Sequence, residues 1–237
     1  MSSLDSAIRI LRCLSPRTPV LKVTEVAERL DMPKSTVSRL MKLLHEGGLL
    51  RRDEQAPQYG PGPLGLTLGR LYLARNGLLD QVDKALAAIV ERFGFCGFAG
   101  VLDGDRVVVV CQRLGWYQLR YVLEVGERLD PRETAMGTAL IARRGGGWAD
   151  DPAAQRFLAD RVVEVPCLSV PGITAIGTAL CPAGQEAAIG FSISFPDLAA
   201  PPDTRAEIRT AVLEAARAIA PAIGDDFHLD PAKARPT

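Results

Sequence analysis

The sequence predicts an α+β chain in two parts: a small helical unit closed by a basic hairpin, then a larger unit of antiparallel strands and helices. Three observations carry this. Apolar residues in positions 1–60 recur at helical spacing. After Gly94 the pattern changes to strand-like runs. Two glycine-containing turns, Asp103-Gly104-Asp105 and Pro182-Ala183-Gly184-Gln185, join such runs as hairpin loops do.

Taken in order, residues 4–14 read as a first helix with Leu4, Ile8 and Leu11 on one stripe, ended by Pro16 and Pro19. Thr24 is the expected N-cap of a second helix, residues 25–30, with Val26, Ala27 and Leu30 inward. Asp31-Met32-Pro33 makes a tight corner. A third helix follows over 33–46 and stops at Gly47-Gly48. Residues 49–52 and 58–59 flank a polar turn as a small hairpin. Two apolar helices span 66–75 and 78–93, the second with Leu78, Val82, Leu86 and Ile89 at helical spacing. Strands are expected over 95–102, 106–112 and 117–125, helices over 134–144 and 152–159, and a second hairpin over 173–181 and 187–194. Asp203 is the expected cap of a final helix with Ile208, Val212, Ala215, Ile219 and Ile223 inward, and the chain after Asp225 reads as a loose tail. The expected boundaries are a first domain over 1–62, a helical linker over 63–80, a second domain over 81–226 and a flexible tail over 227–237.

Composition excludes several classes. An apolar fraction of 47% with 24% charged residues belongs to a folded chain. No apolar run approaches the roughly eighteen residues of a membrane span. The start lacks the order of a secretion signal, because Asp5 and Arg9 interrupt it. Cys13, Cys96, Cys111, Cys167 and Cys181 are scattered, no C-x-x-C occurs, and only His45 and His228 could add imidazole. That argues against a metal, a cofactor or a disulfide framework, and for the cytoplasm. Gly60-Pro61-Gly62-Pro63-Leu64-Gly65 fits G-x-G-x-x-G in letters only, since both prolines lack the amide a phosphate needs. With no nucleophile elbow, no P-loop and no Cys–His pair in a plausible setting, no enzyme is expected.

The net charge is +0, yet residues 1–60 hold ten cations against seven acids. Between positions 33 and 52, Lys34, Arg39, Lys42, Arg51 and Arg52 face a single acid, Glu46. Such clustering suits a polyanion. At about 100° per residue around Leu40, Val37 and Leu44 fall beside it while Ser35, Ser38 and Lys42 fall opposite. Two helices, a tight corner and a basic hairpin make a winged helix-turn-helix. The start of its recognition helix carries open amides, short hydroxyls and cations, as major-groove reading requires. Lys34, Ser35, Ser38, Arg39 and Lys42 are assigned to the groove or its phosphates, with Thr36 flanking. Arg51 and Arg52 are assigned to the wing. The partner is double-stranded DNA.

The segments LDSAIRILRCLS and VTEVAERLDMPKSTVSRLMKLLHEGGLL resemble the DNA-binding domain of the IclR family of bacterial transcription regulators. VLDGDRVVVVCQR resembles that family's first effector-domain hairpin, VGERLDPRETAMGTALIA its Gly-rich helix entry, and PGITAIGTALCPAGQEAAIGFSIS its last hairpin. The resemblance covers residues 4–224. It implies a GAF-like antiparallel α/β effector domain, a homodimer or dimer of dimers, and a pseudo-palindromic operator. It also implies repression controlled by a small organic acid or aromatic metabolite. Carried over by position, the effector wall comprises Tyr121, Leu129, Ala135, Met136, Ala175, Ser192 and Ser194. Many members carry an acidic segment before the glycine matching Gly172. This chain has VPCLSVPG there, which implies a more apolar pocket. The alternative is a DNA-binding protein whose second domain only dimerises.

Overall fold

The structure is a computed structural model that describes residues 2–118, 121–145, 151–184 and 188–229. It divides into two compact units, Met1–Asn76 and Gly77–Thr237.

In the first unit α1 (Ser3–Leu11), α2 (Val23–Leu30) and α3 (Lys34–Glu46) surround a core of Ile10, Val26, Val37, Leu40, Met41 and Leu50. The stripe expected on α1 is displaced. Ile10 is buried, whereas Leu4 and Ile8 are exposed, because α1 lays its Ser6–Ile10–Cys13 side on the core. Thr24 does not cap α2. The helix starts at Val23, so Thr24 lies in its first turn, exposed, and the N-cap position falls to Lys22. At the corner Asp31 adopts φ 50°, ψ 56°, and the amide of Met32 returns to Ala27 O at 3.0 Å. Asp is among the few side chains that tolerate this left-handed state. Arg9 reaches over from α1 and donates to Leu30 O at 3.2 Å, closing the end of α2. The wing comprises β2 (Leu50–Arg52) and β3 (Gln58–Pro61), joined by β1 (Leu21–Lys22), in the order β1-β3-β2. No sequence signal pointed to β1. Its two residues pair with a strand far along the chain. Then α4 (Pro63–Arg75) follows with no buried residue, leaving Leu66, Leu68, Leu71, Tyr72 and Leu73 exposed.

The second unit opens with α5 (Gly77–Phe93), whose Leu78, Val82, Leu86 and Ile89 are buried. Its sheet comprises β4 (Cys96–Asp103), β5 (Arg106–Arg113), β6 (Arg128–Leu129), β7 (Val163–Pro166), β8 (Ile173–Leu180) and β9 (Ile189–Pro196). They run β6-β5-β4-β9-β8-β7, every described pairing antiparallel. One face packs Phe191, Ile193 and Phe195 under α5 and the long α8 (Pro202–Ile223). The other packs Phe98, Ala175 and Ala179 under α6 (Ala135–Arg144) and α7 (Pro152–Asp160).

Four expectations are corrected here. Residues 117–118 and 121–125 form no strand. Val109 instead bonds to Gly126 and Glu127, and β6 takes the outer edge of β5. Asp203 is not the cap of α8 but a first-turn residue behind Pro201 and Pro202. Ala215 is only partly buried against the core, whereas Ala216 and Ala220 of that helix are fully buried. The chain beyond Asp225 is not loose as far as it is described. It forms α9 (Asp226–Leu229), with His228 buried and the ring of Phe227 5.5 Å from that of Phe157. The expected strand over 187–194 begins outside the described residues, as does the hairpin position Gln185.

Candidate nucleic-acid interface and effector face

On α3, Val37, Leu40, Met41 and Leu44 are buried, whereas Lys34, Ser35, Ser38, Arg39 and Lys42 are exposed and Thr36 is half-buried. Core packing on one side thus turns the hydroxyls and cations to the other. Pro33 occupies the N-cap with φ −56° and supplies no side-chain cap. Its carbonyl accepts from Thr36 and Val37 at 3.0 and 3.1 Å, so the first amides of α3 face outward with the positive end of the helix dipole. Arg51 and Arg52 are exposed on β2. On the following turn the Asp53 carboxyl is held below the usual carboxylate range, chiefly by the amide side chain of Gln58 and the backbone of Gln55. That acid is bound into its own turn.

In the second unit, residues directly opposite on neighbouring strands share a face. Ser192 lies opposite Phe98 and Gly177, and Ser194 opposite Cys96 and Ala175. Both serines therefore face α6, at 2% and 6% exposure. This is deeper than a half-exposed strand face. The helix comes down close. A side chain at Gly177 would stand 3.1 Å from the Ala135 carbonyl carbon, and one at Gly190 2.6 Å from Met136 O. Thr134 caps α6 by accepting from the Gly137 amide at 3.0 Å. Tyr121 meets Phe98 edge-on, with ring centroids 6.2 Å apart. Burial first, then hydrogen bonding to the Cys167 thiol, pushes its phenol well above the usual range. Leu129 and Met136 join the same apolar cluster. Met136 is fully buried, its sulfur set over Gly100, so its side chain is spent on packing.

Sequence reasoning passed over three neighbours. Cys167 and Ser169 stand 3.3 Å apart next to the Tyr121 hydroxyl, and Gln112 donates to Leu123 O at 2.7 Å. The acid-free VPCLSVPG segment was the available signal for the first two. A separate cleft of about 510 Å³ opens at the β7 edge, and none of the seven effector-wall residues lines it. Most of its charges are already matched: Arg205 holds Glu164 at 2.7 Å and Asp197 at 3.0 Å, and Arg209 faces Asp160 at 3.7 Å. Among the described residues no His, Cys, Asp and Glu group could hold a metal, and no helix is long and apolar enough to cross a membrane.

The model of the IclR helix-turn-helix domain matches residues 3–54, which contain α1 to α3 and β2. The chain is also 28% identical over 240 residues to the HTH-type transcriptional regulator BhcR of Paracoccus denitrificans, covering 91% of this chain and 85% of that one. Residues 3–54 thus match the helix-turn-helix domain of the IclR family, and over most of its length the chain is similar to a transcription regulator. The HTH-type transcriptional repressor AllR of Klebsiella pneumoniae is 23% identical, covering 94% and 90% of the two chains. An IclR homologue from Microbacterium hydrocarbonoxydans, crystallised with 4-hydroxybenzoate, shares the fold at a TM-score of 0.69 and 20% identity, over 92% of this chain and all of that one. The relatives that match most of this chain's length are named as HTH-type transcription regulators, and residues 3–54 match a helix-turn-helix domain.

Proposed function

We propose that this chain is an IclR-family repressor that grips a pseudo-palindromic operator as a homodimer, or a dimer of dimers. Lys34, Ser35, Thr36, Ser38, Arg39 and Lys42 enter the groove or touch its phosphates, and Arg51 and Arg52 touch a neighbouring phosphate. One observation carries this reading: the buried stripe Val37–Leu40–Leu44 turns an uncapped, cation-bearing helix start to the outside. The repressor sense rests on the likeness to AllR. Pairing is supported by α4, whose six exposed large apolar side chains, Leu64 among them, suit a second copy.

The effector reading follows the same pattern. A small aromatic carboxylate lies on the α6 face, its carboxylate at Ser192, Ser194 and the first amides of α6, its ring by Tyr121 and Ala175. Leu129, Ala135 and Met136 complete the wall. The complex of a homologue with 4-hydroxybenzoate favours this class.

Fluorescence anisotropy on operator DNA tests both halves. Arg39→Ala weakens binding by about ten- to a hundredfold, the range of a lost base contact or a little below it. Wild-type affinity for that variant removes α3 from the groove. Titration with 4-hydroxybenzoate shifts operator affinity in the wild type but not in a Ser192→Val, Ser194→Val variant. An operator affinity unmoved by a panel of such acids favours the dimerisation-only alternative.

A further inference from the structure

The wing sheet runs β1-β3-β2, so β2 is an edge strand. Alternate residues of an edge strand turn their N–H and C=O away from the sheet, where no neighbouring strand meets them. On β2, Arg51 lies opposite Gly60, and just beyond the strand the Asp53 amide donates inward to Gln58 O at 2.9 Å. Leu50 O and Arg52 N–H are left on the outer edge. Both come to one atom. His45 Nδ1 stands 3.3 Å from Leu50 O and 3.4 Å from Arg52 N. The imidazole also stands edge-on to Tyr59 of β3, ring centroids 6.3 Å apart and planes at 71°. His45 belongs to the last turn of α3, so one side chain links the proposed recognition helix to both strands of the wing.

We infer that His45 is a positioning residue for DNA binding: it takes the place of a missing strand along β2 and holds the Arg51–Arg52 wing at a fixed offset from α3. One ring nitrogen cannot serve both partners at once. With a proton, Nδ1 donates to Leu50 O; without one, it accepts from Arg52 N–H. Either state ties the edge down. A wing so tied presents its arginines already ordered, and the ordering cost at association falls. The inference rests on the assignment of Arg51 and Arg52 to the DNA contact.

The test is operator affinity of the full chain carrying His45→Ala or His45→Asn, each also in an Arg51→Ala, Arg52→Ala background. Asn offers both a donor and an acceptor near the position of Nδ1. His45→Ala weakens binding by about two- to tenfold, the range of one net hydrogen bond. His45→Asn restores most of that loss. His45→Ala adds nothing further once both arginines are gone. Unchanged affinity in His45→Ala, no rescue by Asn, or an equal loss in the arginine-free background overturns the inference. If the arginine-free protein binds like the wild type, the wing assignment has failed, and the amide of Arg52 decides on His45 alone. Faster hydrogen exchange there in His45→Ala supports the clamp, and an unchanged rate overturns it.

Discussion

Several arginines of the second unit and the cations of α3 and the wing are employed in opposite ways. In the second unit Arg113 grips Asp83, Arg128 grips Asp103, Arg143 grips Asp225, and Arg205 grips both Glu164 and Asp197. In the first, Lys34, Arg39, Arg51 and Arg52 form no ion pair among the described residues. Lys42 reaches only Glu46, at 3.8 Å with both side chains exposed. A guanidinium neutralised by its own chain orders that chain. One left without an acid keeps its field for a partner. Arginine content alone therefore says little about DNA binding, and the local supply of acids says more.

The largest effect that tests this contrast lies at Arg143. Its Nη2 donates to Asp225 Oδ1 at 2.6 Å, its guanidinium lies 4.3 Å from the Phe227 ring centre, and Asp225 is 1% exposed. Arg143→Met strands that carboxylate, and losing one partner of a buried pair costs about 3 kcal/mol or more. The urea midpoint of the second unit falls accordingly. Adding Asp225→Asn recovers part of the loss, since the stranded charge is gone while Cys181 N keeps an oxygen acceptor. An Arg143→Met protein as stable as the wild type would show that this arginine is as uncommitted as Arg39 of α3.

That anchor also marks where sequence reading ends. The face of α3 was legible because amphipathy is local: Leu40 and its neighbours fix where Ser38 and Lys42 point. The hairpin at Asp103-Gly104 was legible because Gly104 adopts φ +66° in the turn. The segment around Tyr121 and Leu123 alternates inward and outward residues as a strand does. Among the described residues its backbone nonetheless finds no partner strand, and side-chain alternation does not reveal where hydrogen bonds go. Among the described residues the four residues of β7 pair only with β8, and they gave no signal of their own. The docking of α9 depends on Arg143 and Asp225, which are 82 residues apart. Likewise Cys167 meets Tyr121 only through the fold.

A smaller effect follows from His228 on the same short helix. Its Nε2 lies 2.9 Å from Ala179 O, and its Nδ1 is buried with no partner among the described residues. Burial is the main cause that lowers its pKa, with Arg143 and Arg161 pushing the same way and the Ala179 carbonyl and Asp225 opposing. The unfolded chain then binds more protons than the folded one below the ordinary histidine pKa of about 6.5. Stability is therefore flat above that pH and declines as pH falls through it toward the depressed folded value. Denaturation midpoints of the wild type against His228→Gln, measured from pH 8 to pH 5, check this. The variant loses that decline, and parallel curves would refute the assignment to His228.

The smallest effect sharpens the comparison from the other side. Glu46 is the one acid between positions 33 and 52, and its pair with Lys42 joins side chains exposed by 54% and 73%. Exposed i,i+4 pairs contribute about 0.3–0.5 kcal/mol, so Glu46→Gln leaves the unfolding midpoint nearly unchanged. It does remove a negative charge from the cationic surface and leave Lys42 with no acid partner. Operator affinity then rises, by less than about tenfold, and the gain shrinks as salt screens it. A gain that persists undiminished at high salt would mean that Glu46 acts through the shape of the helix end rather than through its charge.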